Sequence, residues 1–247
     1  FFVTCLQLFT CLAARFFASI EIASDVLEQV RDFVKRLMPA YLLTVAFSGG
    51  SVSAVALYEA MTAAVTLVQW LCCNLLLPVV RIYVLLVLAG HVAKEEMLSK
   101  LTELLEQWVG SALKTLMGLV LGLQVLQGMV VPYADSAGQA GVRKVIEIIP
   151  GLGQGAGAVA QMVLGSGVLI KNSLGAAAVV VLLIMTLVPI AKLEVLMLFY
   201  QLAAAVMQPV CDKRVVSCVS GVSRGHKLLL KIVVSSLLLF VLALAIT

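Results

Sequence analysis

Charge is the scarcest commodity in this sequence. Only 12% of its 247 residues are Asp, Glu, Lys or Arg, while 62% are hydrophobic. That imbalance excludes a soluble globular domain, which could not hide so much apolar surface, and it indicates an integral membrane protein. Aromatics are also sparse at 6%, the formal net charge is only +4, and no cluster of Lys/Arg interleaves with aromatic residues. A nucleic-acid groove needs such a cluster, so nucleic acid is not expected as a partner. Two histidines and six cysteines without a C-x-x-C pair do not make a zinc set, and no metal or cofactor is expected. Cys211 and Cys218, seven apart, could share a helix face, but that spacing does not make a disulfide. No nucleophile and base stand at a readable spacing, so no enzymatic activity is expected.

What the chain has in excess is uninterrupted apolar length. Residues 37–58, 115–134, 148–170 and 172–191 contain no charge, and about 20 apolar residues of helix cross a hydrocarbon core of about 30 Å. Alternating ten-residue strands are absent, so the expected fold is all-α, a polytopic helical membrane protein rather than a barrel. The chain begins at Phe1 without methionine, which implies an upstream part outside this sequence. Residues 1–20, apolar except for Arg15, lack the charged front and cleavage site of a signal peptide and read as a first helix.

Two apolar runs carry an interruption of one kind. "LLLPVVRIYVLLVL" (75–88) has Pro78 and Arg81, and "TLVPIAKLEVLMLF" (186–199) has Pro189 and Lys192 at an offset of 111 residues, with Glu194 close behind. At the same offset Pro39 falls on Pro150 and Gly110 on Gly221. The expectation is two tandem repeats with proline-broken helices: an N-terminal apolar helix and amphipathic helix over 1–37, repeat 1 over 38–135 and repeat 2 over 136–247. Each repeat opens with a small-residue helix begun by proline, at its first helical position. A long apolar stretch of about 34 residues follows, which as straight helix would reach about 51 Å. It must kink, tilt or turn back.

Proline frees a backbone carbonyl that lipid cannot satisfy, and a cation at depth faces protein, water or the membrane surface. Pro78, Pro189, Arg81, Lys171, Lys192 and Glu194 are therefore the candidates for lining or gating a conduit, with snorkelling or structural pairing as the plain alternative. Lys192 and Glu194, two apart, cannot face each other within one helix. Three crossings per repeat would make the halves inverted and four would make them parallel, and the sequence leaves both open; the stretch 94–114 carries a net charge of −1 and 207–231 carries +4, which under the positive-inside bias mildly favours inversion.

"GLGQGAGAV" (151–159) contains a nominal dinucleotide fingerprint, but no strand precedes it and Lys171 stands where an acidic ribose ligand would be needed. Gly153, Gly157, Gln161 and Gly165 form a four-residue stripe that suits close helix packing, with a glycine-lined pore or re-entrant segment as the alternative. In "KEEMLSKLTELLEQWVG" (94–110), Met97, Leu98, Leu101, Leu104, Leu105 and Trp108 share one face. That pattern predicts a helix along the membrane interface or a partner-binding coil. A similar stripe runs through 21–37. His91 and His226 lie at segment ends with no metal spacing.

The second half, in "IIPGLGQGAGA" (148–158), "LIKNSLG" (169–175) and "LVPIAKLEVLMLFYQLAAAVMQPVCDKR" (187–214), resembles the stage III sporulation protein AE family. The likeness is strongest over 140–247 and weaker over 38–135. The resemblance implies a multi-pass protein of the mother-cell membrane around the forespore. It implies as partners the other stage III sporulation A-operon proteins and, across the intermembrane space, stage II sporulation protein Q, in a channel or secretion-like complex supporting forespore development. It carries over no catalytic residues. A non-conducting scaffold for ring-forming partners and a stand-alone small-molecule transporter are the alternatives, and a homo-oligomer is compatible with all three.

Overall fold

The computed structural model describes the backbone of residues 2–47, 51–93, 96–147 and 153–246, and side-chain surroundings chiefly over 7–44, 63–90, 100–125 and 165–242. Every described element is helical. In chain order they are α1 (Phe2–Phe47), α2 (Ser51–Leu71), a π-helical turn (Cys72–Leu76), α3 (Leu77–Ala93), α4 (Glu96–Glu147), α5 (Gly153–Met207) and α6 (Lys213–Ile246). An apolar chain in lipid reaches this outcome because a helix satisfies its backbone within one segment. Among the described residues, four stretches are long and apolar enough to cross a membrane: Ala63–Gly90, Lys100–Val125, Gly165–Met207 and Lys213–Leu242.

Neither interrupting proline ends its helix. Pro189 lies inside α5, which is helical from Gly153 to Met207. Pro78 is the second residue of α3, directly after the π turn. A proline at 78 has no N–H for the Asn74 carbonyl and crowds it. The chain answers with a wider turn, the Leu77 N–H donating to the Cys72 carbonyl five residues back, which is the usual form of a π-bulge inside an α-helix. Turning back at the prolines is therefore not what the backbone does. Pro39 is likewise interior to α1 rather than the first residue of a helix; Pro150 lies outside the described residues.

The amphipathic segments are not separate elements either. The stripe from Met97 to Trp108 lies in the first turns of α4, continuous with the apolar run behind it. There Leu101, Leu104 and Trp108 are exposed. The 21–37 stripe is part of α1, and its Val26, Val30 and Val34 are buried in protein. After α5, Pro209 prevents continuation, and the Cys211 N–H donates back to the Met207 carbonyl at 2.8 Å. Asp212 then starts α6, its carbonyl accepting from Val215. Cys211 stands in this turn and so shares no helix with Cys218; both are free thiols.

The helices divide between two compact units, each drawing on distant parts of the chain. One contains 1–30, 68–117 and 185–238; the other contains 31–67, 118–184 and 239–247. The first holds a dense core that includes Phe16, Tyr83, Leu193, Leu228, Leu229 and Ile232. In the second, buried Tyr41 packs against Leu42 and Leu174.

Candidate functional site

The centre of the first unit is a polar cluster inside an apolar core. α6 can approach α3 and α1 closely because Gly221 and Gly225, four residues apart, turn their bare backbone toward them. A Cβ at Gly225 would stand 2.6 Å from Val84 Cγ2 and 2.9 Å from Phe16 Cε2, and one at Gly221 would run into Val87 Cγ1. This is the small-xxx-small packing that lets membrane helices touch.

One residue after Gly225, His226 is completely buried. Its imidazole Nδ1 lies 3.0 Å from the Val222 carbonyl, and its Nε2 lies 3.0 Å from Ser19 Oγ on α1. A carbonyl only accepts, so Nδ1 carries the proton, and in the neutral ring Nε2 accepts from the Ser19 hydroxyl. The same hydroxyl has the Arg15 carbonyl within 3.1 Å as a second acceptor. The Phe16 ring meets the imidazole edge-on and the Tyr200 ring lies tilted against it, both with centroids at 5.0 Å. Beside this, Ser223 Oγ donates to the Met197 carbonyl of α5 at 2.9 Å. The imidazole thus joins α1, α5 and α6, and the apolar rings seal it from both solvent and lipid. A serine–histidine contact this closed offers no approach to a substrate; it fastens helices.

The sequence profile of the stage III sporulation protein AE family matches residues 1–247, the whole chain. The chain belongs to the stage III sporulation protein AE family. Stage III sporulation protein AE of Bacillus subtilis (strain 168) is 25% identical over 211 residues, 85% of this chain and 53% of that protein. The chain therefore spans about half the length of this relative. No solved structure matches it. Family membership gives the chain a role in sporulation, and the four apolar helices make it a membrane protein.

The residues singled out by their depth and charge do not converge on the histidine cluster. Arg81 is exposed on α3, with its guanidinium 5.1 Å from the Phe17 ring centroid of α1, a cation–π contact. Lys192 and Glu194 are exposed on α5, Lys171 is half-buried in the other unit, Pro78 is exposed and Pro189 half-buried. Gly165 faces open space rather than a packed helix. Gly153, Gly157 and Gln161 belong to α5, with side-chain surroundings outside the described residues. The close-packing glycines that the described structure contains are Gly221 and Gly225, in "SGVSRGHK", a motif whose four-residue spacing was readable but which sits in a polar stretch. His226 was missed for the same reason: Arg224 and Lys227 beside it suggest a wet segment end.

Proposed function

We propose that this family member is an integral-membrane core component of the channel or secretion-like complex between mother cell and forespore, seated in the mother-cell membrane and assembled with other stage III sporulation A-operon proteins and stage II sporulation protein Q. Its work is non-enzymatic: it builds the membrane part of a path that sustains the forespore. The observation that carries this reading is the display of Arg81, Lys192 and Glu194 on the outside of otherwise apolar helices. Charged side chains on spans mark surfaces that do not face lipid. The matched Pro78–Arg81 and Pro189–Lys192 interruptions support descent of the two halves from one ancestor, each half supplying one cation-bearing helix to the path. Replacing both Arg81 and Lys192 by Leu tests it. Heat-resistant spore counts are expected to fall about tenfold or more while the protein accumulates normally, because the path loses its polar lining. Unchanged counts at normal protein level would overturn the lined path.

The scaffold reading has its own support in the largely uncovered α5, of which only 17% of the apolar span is buried within the chain. It differs in outcome: the Leu pair would leave sporulation intact.

A further inference from the structure

Among the four candidate spans, α5 is the longest and least covered: 43 residues, 17% buried, against 56% for the α6 span. As helix it extends about 65 Å, and even a tilt of about 40° leaves roughly 50 Å to fit a core of about 30 Å. Lipid cannot cover all of it. If the bilayer takes the charge-free residues 172–191, then Leu198, Phe199, Leu202 and Val206, each at least 53% exposed, stand outside hydrocarbon. If it takes the C-terminal part instead, Lys192 and Glu194 stand in it. Either placement leaves a surface that needs protein.

The exposed side chains indicate which protein. Val188, Ala191, Val195, Leu198 and Leu202 are all exposed and follow one another at intervals of three, four, three and four. This is the heptad seam of helices that pack side by side, with Val188, Val195 and Leu202 at one core position and Ala191 and Leu198 at the other. Leu193, fully buried, marks the side turned toward the rest of the chain. Lys192 and Glu194, its neighbours, leave the helix about 100° to either side of it and within about 3 Å of the same height. They flank the seam, one charge sign on each side, and neither has an ionic or hydrogen-bonding partner among the described residues.

We propose that α5 is the contact between two copies of this chain, packed in parallel along Val188–Leu202, with Lys192 of each copy opposite Glu194 of the other. Copies inserted in one membrane share one orientation. A parallel pair related by a two-fold axis brings the lysine flank of one helix to the glutamate flank of its neighbour, on both sides of the seam. The pairing that is sterically barred within a helix is thereby supplied between helices, and it neutralises two charges that lipid would leave bare. Where the proposed path exists, Lys192 and Glu194 meet it as pairs at the edges of this contact rather than as single charges; the contact itself holds whether or not anything passes through the complex.

Cysteine cross-linking in native membranes, on the cysteine-free full-length protein with two distinguishable tags, tests this. A copy with Lys192→Cys mixed with a copy with Glu194→Cys is expected to form disulfide dimers at least about fivefold more readily than Lys192→Cys with itself, since the two lysine flanks lie on opposite sides of the seam. Leu198→Cys is expected to link to itself, and Ile82→Cys, exposed on α3, is not. Absence of both the mixed and the Leu198 links would mean that lipid or another protein covers α5, and equal linking of Lys192→Cys to itself would mean a different packing; either result overturns the proposal.

Discussion

At the scale of single residues, His226 is held more by shape than by its proton. Ser19 keeps the Arg15 carbonyl as an acceptor when the imidazole is gone, and the Val222 carbonyl belongs to a helix that supplies its own N–H groups. What nothing replaces is the volume between the Phe16 and Tyr200 rings. His226→Ala is therefore expected to cost about 2–4 kcal/mol through the cavity left behind. His226→Phe, similar in volume and able to keep the ring contacts, should cost less than about 1.5 kcal/mol. Thermal unfolding of the purified protein in detergent measures both; a Phe variant as unstable as the Ala variant would assign the cost to the lost Ser19 hydrogen bond instead. The burial of this histidine was not legible locally. A polar run such as "SRGHK" reads as solvated until Gly221 and Gly225 draw it against α3 and α1, and that approach is a tertiary event.

At the scale of elements, the helical class and the apolar spans were legible because lipid leaves the backbone few alternatives. The bounds were not. Proline and polar residues mark helix ends in water, yet α1 continues through Pro39, α5 through Pro189, and α4 carries its amphipathic first turns straight into an apolar run. The strain at Pro78 is absorbed as a π turn, which no spacing rule predicts. The docking of α6 gives the element-scale prediction. Gly225→Ala forces a methyl within 2.6 Å of Val84 Cγ2 and 2.9 Å of Phe16 Cε2 and should destabilise the protein by about 1–3 kcal/mol, with Val84→Ala relieving the first contact and so recovering part of it. Gly165→Ala, placed in open space on α5, should be neutral or gain about 0.5–1 kcal/mol from helix propensity. The same unfolding measurement ranks the three; equal losses at Gly165 and Gly225 would mean that α6 does not rest on its glycines.

At the scale of the whole molecule, the two readings of sidedness separate. The charge contrast between 94–114 and 207–231 favours inverted halves, so that these two tips face opposite sides. The folded chain argues for the opposite. The facing ends of the first two candidate spans, Gly90 and Lys100, and of the last two, Met207 and Lys213, all belong to one compact unit, which contains 68–117 and 185–238. The four spans found among the described residues, taken in series, also return the chain to the same side at both tips. With five Lys/Arg and a single Asp across 207–231, that side is expected to be the cytoplasm. Lys100→Cys and Gln208→Cys, each alone in a cysteine-free background, should both resist a membrane-impermeant maleimide added outside intact cells and both react once the membrane is opened. Labelling of Lys100→Cys alone from outside would restore inversion.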